Sequence, residues 1–207
     1  MGPLSTGFRY GLVAVVVALA ADLRFLFIDP LGIPNWILAV VEDYRTQLAL
    51  AAFLFLGILA ALRVRPTRID PDVAYRSLLL RDCAMAATVV AVTAGLTLFI
   101  ITALNATLFA DDISDYASSA APNMAAYYEK VADRLNDPPP LPTVEQIEER
   151  LQPPELRELG RSMANLVLRA ILIGSVGALV GALRGRSQNS AREADPYFSG
   201  NGKSPER

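Results

Sequence analysis

The 207-residue chain is 53% hydrophobic and has a positive mean hydropathy. This composition is too apolar for an ordinary soluble domain, so it excludes that class and indicates a helical membrane protein. The formal net charge of −2 conceals a segregation, because acids dominate one long segment and arginines dominate the others. All but two of the 19 basic residues are arginines. They are scattered at the edges of apolar runs, which does not indicate a nucleic-acid surface.

The chain contains no histidine and a single cysteine, Cys83. An intramolecular disulfide, a histidine-ligated haem and the usual zinc and di-iron sites are therefore excluded, since each needs histidine or several cysteines. A lone cysteine at the end of an apolar helix is most often a small packing residue. We expect no metal ion and no cofactor.

The first predicted membrane span runs from Phe8 to Ile28, which is about the length that crosses a bilayer. The alternative is a cleaved signal peptide over residues 1–20, because small residues follow a short apolar core there. We favour a retained helix, since apolar residues resume after Asp22 and Arg24. On a helical wheel Asp22 shares a face with small residues, where a neighbouring helix would pack.

Residues 29–46 are predicted to lie at the outer membrane surface. Pro30 and Pro34 interrupt the first helix. The apolar stretch from Trp36 to Val41 is too short to span and is followed at once by charged residues, so we interpret it as a brief interfacial helix. The second span then covers Gln47 to Leu62.

The second and third spans are joined by an arginine-rich loop, residues 63–82. By the positive-inside rule this loop is cytoplasmic. The third span runs from Cys83 to about Leu108 and carries a face of small residues that includes Ala91 and Gly95. Such a face favours close contact with another helix.

Residues 109–161 form the longest segment outside the predicted spans, and this segment is acidic. The part from 111 to 160 contains 11 acids and four basic residues, so we place it on the extracytoplasmic side. Short helices are expected on either side of Pro122, and Thr143 with Gln146 forms a capping box for a later helix. Their apolar stripes are too narrow for an independent core. We expect them to pack on each other, on the membrane surface or on a partner.

The fourth span, residues 162–184, contains Arg169 and a ladder of glycines at spacings of three and four that extends to the residue just beyond the span. These glycines are Gly174, Gly177, Gly181 and Gly185. Both features need a partner helix, because lipid cannot satisfy a guanidinium and glycines gain nothing from facing lipid. The polar tail, residues 185–207, is predicted to be disordered and cytoplasmic.

Together these segments predict an all-α fold, namely an integral membrane four-helix bundle. Residues 1–108 supply the first three spans, and an extracytoplasmic helical segment connects the third span to the fourth. Arginines flank the second, third and fourth spans on one side, while the acidic segment lies on the other. We therefore predict a multi-pass protein of the cell membrane with both termini in the cytoplasm.

Asp22 in the first predicted span and Arg169 in the fourth are charges of opposite sign at similar depth. With a rise of 1.5 Å per residue, each lies about six or seven residues below the outer end of its helix, so their depths nearly match. We predict an ion pair between them, which would offset much of the roughly 2.5 to 3.5 kcal/mol that each charge costs at mid-bilayer. Two alternatives stay open. Each side chain snorkels separately to the interface, or the two line a path for ions or protons.

Enzymatic functions meet specific obstacles in this sequence. A rhomboid-like serine protease requires a histidine base, an intramembrane aspartyl protease requires two buried aspartates, and no glycine-rich phosphate loop is present. We therefore expect a non-catalytic scaffold or accessory subunit that contacts the lipid bilayer and other membrane proteins or itself, and no nucleic acid. The alternative is an oligomeric channel or small transporter subunit with an acidic outer mouth, formed by Asp22, Asp29, Glu42 and Asp43.

Overall fold

The computed structural model describes residues 2–65, 75–137 and 139–193, and within these ranges the chain is helical without strands. The helices are α1 Pro3–Asp22, α2 Asn35–Arg63, α3 Tyr75–Asn105, α4 Ala110–Ala132, α5 Val144–Leu151 and α6 Leu159–Glu193. Two 3₁₀ turns, Arg24–Leu26 and Leu156–Glu158, precede α2 and α6. The middle of the predicted arginine-rich loop (66–74) and the end of the predicted tail (194–207) lie outside the described residues.

Four of these helices are long and apolar enough to cross a membrane. Their spanning parts are Pro3–Asp22, Asn35–Arg63, Arg76–Asn105 and Leu159–Arg186, with mean hydropathies between 1.7 and 2.2. The predicted all-α class and the predicted number of spanning helices are therefore confirmed. The chain has the architecture of a multi-pass membrane protein.

Successive spanning helices run in opposite directions. Among them, α3 packs against α6, α1 and α2. At one end of the bundle, Asp22 of α1, Asn105 of α3 and Ser162 of α6 line one cavity. We call this the capped end, because α4 and α5 lie there. At the opposite end, the open end, Arg184 of α6 donates a hydrogen bond of 2.8 Å to the carbonyl oxygen of Ala61 of α2.

The first helix is shorter than the predicted span from Phe8 to Ile28. After Asp22 the chain leaves the α-helix and forms the 3₁₀ turn Arg24–Leu26. This turn brings the guanidinium of Arg24 to the carboxylate of Glu42 on α2. The expectation of a continuous helix was wrong because Arg24, one of the two charges that interrupt the apolar run, pairs with Glu42 across the turn.

Two other predicted breaks are absent. α2 is continuous, so the stretch Trp36–Val41, predicted as a separate interfacial helix, forms its first turns. α4 likewise runs through Pro122, although an interior proline costs roughly 3 kcal/mol. Packing overrides the local signal in both places, because both helices bury apolar residues in one common core. These residues include Leu38, Ala39, Ala120, Ala121 and Met124.

α6 packs closely on α3 through its glycines, and it continues as a helix to Glu193, beyond the predicted end of the span at residue 184. A Cβ atom at Gly177 would lie 2.5 Å from the Cβ of Ala87, and one at Gly181 would lie 2.7 Å from the Cα of Leu80. Such distances leave room for glycine alone. The other predicted packing residues are also buried or close-packed: Gly174 against Thr88, Gly185 against Arg76, Gly95 against Leu166, and Ala91 in the core between the spans.

Two hydrophobic cores follow each other along α2. The larger core lies between the spanning helices and contains Phe53 and Ile173. The smaller core belongs to the cap, where α4 and α5 pack on the first turns of α2 around Leu38, Met124 and Ile147. Leu38 and Phe53 are separated by about 22 Å along the helix axis. The narrow apolar stripes of the cap helices could not form a core alone, and they form one together with α2.

We predict that Gly181→Ala destabilises the protein by about 1–3 kcal/mol, because overpacking forces the backbone to shift. The added methyl group would lie 2.7 Å from the Cα of Leu80 and 2.9 Å from the carbonyl oxygen of Leu79. Gly160→Ala is the matched control, since no atom lies within 4 Å of a Cβ atom there. Thermal unfolding in mild detergent, followed by circular dichroism, should show a lower midpoint for Gly181→Ala only. Equal midpoints would contradict the close packing.

Candidate functional site

A layer of charged and polar side chains separates the two cores at the capped end. This charged layer consists of Asp22, Arg24, Glu42, Asp43, Arg45, Tyr116, Tyr128, Arg150 and Arg169. Its position follows from the sequence of α2, in which the run from Glu42 to Arg45 divides two apolar stretches. Because each stretch enters a different core, the charges between them lie at the junction of bundle and cap.

The centre of the charged layer is a buried ion pair between Arg24 and Glu42. Nε of Arg24 donates to Oε1 of Glu42 at 2.5 Å, and a second guanidinium nitrogen donates to Oε2 at 2.5 Å, which is the bidentate arrangement. The hydroxyl of Tyr116 on α4 donates to the same Oε1 at 2.7 Å. The guanidinium of Arg24 also lies over the Tyr116 ring, 5.7 Å from its centroid. One carboxylate thus joins α2, the turn after α1, and the cap.

The environment of this pair keeps Tyr116 protonated. Burial, the charge of Glu42 and the hydrogen bond to it together raise the pKa of the Tyr116 hydroxyl well above its ordinary value. The phenol therefore remains a donor to Glu42 at physiological pH. With three donors around it and a side chain that is 0% exposed, the carboxylate of Glu42 is poorly placed to accept a proton from a substrate.

A second link between cap and bundle is more exposed. Arg150 of α5 donates to Oδ1 of Asp43 at 2.8 Å, and the hydroxyl of Tyr128 on α4 donates to both oxygens of Asp43 at 2.9 and 3.0 Å. Burial is the main cause that raises the pKa of Tyr128. The Arg150 side chain is 54% exposed, and exposed ion pairs contribute at most about 1 kcal/mol. The buried pair therefore dominates the attachment of the cap.

Asp22 and Arg169 line one small cavity but do not contact each other directly. The cavity has a volume of about 80 Å³, and Arg45 lines it as well. Within the described ranges, no nitrogen–oxygen distance of 4.0 Å or less joins Asp22 to Arg169. Arg24 and Arg45 also lie near Asp22, since Arg45 lines this cavity and both arginines line the neighbouring cavity with Asp22. Arg169 is therefore one of three opposite charges around Asp22.

A larger cavity of about 720 Å³, the polar cavity, lies between the bundle and the cap. Asp22 and Arg45 line this cavity as well as the small one. Asn105, the last residue of α3, also lines it, and the Oδ1 atom of Asn105 is buried without a hydrogen-bond partner. A buried polar atom left unsatisfied costs about 1–3 kcal/mol. Within the described part of the chain, this oxygen beside the polar cavity accepts no hydrogen bond.

Comparisons of the chain with models of protein families, with characterised proteins and with solved structures gave no match. No fold-level analogy is therefore available to suggest a function. The functional interpretation depends on the charged layer, the cavities beside it and the surface of the cap.

Sequence reasoning singled out Asp22 and Arg169 but missed the pair of Arg24 and Glu42. A signal for that pair was present, because the end of one membrane helix and the start of the next lie at the same level. The interpretation of Trp36–Val41 as a separate helix removed Glu42 from the second span and hid this relation. Tyr116 had no such signal, since it reaches the pair from a helix that is remote in sequence.

We predict a coupling free energy of about 2–3 kcal/mol between Arg24 and Glu42 in a double-mutant cycle with Arg24→Gln and Glu42→Gln. Each single variant leaves one buried charge unpaired, which is strongly destabilising, whereas the double variant removes both charges. The control cycle is Arg157→Gln with Glu155→Gln, a pair whose side chains are 81% and 61% exposed. Its coupling should stay below about 1 kcal/mol. Additive effects in the first cycle would show that the buried pair is not a unit.

Proposed function

We propose that the chain is a non-catalytic integral membrane scaffold or accessory subunit. The observation that carries this proposal is the use of the charged layer to hold the cap. The carboxylates of Glu42 and Asp43 each accept hydrogen bonds from an arginine and a tyrosine of other elements. Groups that join the bundle to the cap in this way are poorly suited to bind and transform a substrate.

In this proposal the cap lies outside the cytoplasm and both termini lie inside, in a cell membrane. The distribution of arginines supports this orientation. At the open end Arg9, Arg63 and Arg65 line one groove of about 540 Å³, and no described acid lines it. At the capped end the connecting segment contains more acids than basic residues. Arginines next to a span are retained on the cytoplasmic side of the membrane.

The cap offers a surface groove that suits a protein partner. The groove has a volume of about 500 Å³ and lies between the start of α2 and the end of α4. Its lining consists of Pro34, Asn35, Trp36, Tyr127, Lys130, Val131 and Arg134. Trp36 is 57% exposed, and neither Lys130 nor Arg134 forms an ion pair with a described residue. An exposed tryptophan beside two cations fits an acidic segment of another membrane protein.

The alternative function is an oligomeric channel or small transporter subunit with an acidic outer mouth. One observation favours it, because the two cavities share Asp22 and Arg45 and extend the polar lining to Arg169. Toward the open end, however, the interior is filled by residues without exposed surface, such as Ala60 and Ala87. A conducting path of this protein would therefore have to lie between copies of the chain.

We predict that the affinity-tagged full chain captures a membrane protein from native membranes and that this capture depends on the cap groove. Together, Trp36→Ala and Arg134→Glu should lower the recovered partner at least about tenfold, because anchors of these types often cost about 2 kcal/mol or more when removed. Quantitative mass spectrometry measures the recovery. Phe27→Ala is the matched control, since Phe27 is 79% exposed and does not line the groove.

Equal recovery with the groove variant and with the control would contradict the docking role of the groove. A purified chain that runs without partners and conducts ions in liposomes would favour the channel instead.

A further inference from the structure

The polar cavity contains a cation and acceptors that the described chain leaves without direct partners. Arg45 forms no hydrogen bond or ion pair with a described residue, and Glu42 and Asp22 attract it only from longer range. Asp22 also forms no hydrogen bond with another described residue. The cavity thus offers guanidinium donors together with the carboxylate of Asp22 as acceptor.

An apolar groove meets the polar cavity at Arg24 and Arg45, which line both. The groove has a volume of about 340 Å³ and runs between α1 and α2. The rest of its lining is aliphatic: Val17, Ala20, Ala21, Ile28, Val41, Leu48 and Ala49. Leu48 is 61% exposed, so the groove is open on the side of the bundle, where lipid tails would lie. Charged donors at the mouth of an aliphatic groove fit an amphiphile with an anionic group.

With Arg63 placed at the membrane boundary of the open end, Arg45 would lie near the headgroups of the other leaflet. From Arg63 to Arg45 the helix rises about 27 Å, which is close to the roughly 30 Å thickness of the hydrocarbon core. The phosphate of a lipid in the leaflet at the capped end therefore reaches the height of Arg45. The first part of its acyl chain reaches the height of Leu48, one helical turn deeper.

We propose that the polar cavity and the apolar groove together bind one aminophospholipid. Its phosphate accepts hydrogen bonds from Arg45, its primary ammonium donates to Asp22, and one acyl chain occupies the groove. A primary ammonium supplies both the positive charge and the N–H donors that the carboxylate of Asp22 lacks. A choline headgroup carries the same charge without N–H groups, and a glycerol headgroup offers no positive charge to Asp22. One lipid class thus supplies every missing partner.

The test is native mass spectrometry of the full chain after reconstitution in phosphatidylcholine nanodiscs that contain equal small fractions of phosphatidylethanolamine and phosphatidylglycerol. Wild type should retain one phosphatidylethanolamine in preference to the other two lipids. Arg45→Gln should lower this retention at least about tenfold, because charge-assisted hydrogen bonds are lost. Asp22→Asn should reduce the preference over phosphatidylcholine. Arg63→Gln, an arginine of the same helix at the open end, is the matched control and should retain the lipid.

Ala20→Leu keeps the proposal testable if Arg45→Gln does not fold, because it fills the groove without changing a charge. It should also lower the retention of phosphatidylethanolamine. Equal retention of the three lipids by wild type would overturn the proposal, as would retention that Ala20→Leu leaves unchanged. Displacement of the lipid by soluble phosphoethanolamine at equal concentration would overturn the lipid assignment, since it would indicate a site for the free headgroup.

Discussion

The buried pair of Arg24 and Glu42 is the interaction on which the arrangement of cap and bundle depends. Moving two charges out of water costs several kcal/mol per ion, and the bidentate geometry with the added Tyr116 hydroxyl offsets much of this. Apolar residues of the same volume could hold these helices together as well. Such apolar residues would not require three elements to meet at one point, namely the turn after α1, the first part of α2, and α4. We therefore interpret the pair as a positional device, which sets where the cap lies.

The fixed cap leaves two surfaces with different chemistry. Between cap and bundle, the paired charges surround a cavity in which Arg45 and Asp22 have no direct partner, and the proposed lipid would complete that set. Between the start of α2 and the end of α4, the groove beside Trp36 presents aromatic and basic groups to a protein. Because the two surfaces share no lining residue, a partner protein and a lipid could be bound at the same time.

The sequence predicted the spanning helices correctly, because a bilayer requires long apolar helices. Hydropathy indicated four spanning helices, because every backbone polar group within a bilayer must be satisfied inside a helix. The breaks expected before Gln47 and at Pro122 were wrong, because the core of the cap, a tertiary feature, overrides local signals there. Arg24 and Glu42 were missed for a related reason. The sequence places the two residues at the same level of the bundle, but their contact also depends on how the turn after α1 folds against α2.

Hydrogen–deuterium exchange of Glu42→Gln against wild type tests most directly whether the buried pair positions the cap. If it does, the amides of α4 and α5 exchange at least about tenfold faster in the variant, because the cap opens without the global unfolding of the bundle. The amides of α3 at its contact with Gly177 and Gly181 keep their protection. Wild-type protection of α4 and α5 in the variant would contradict the account.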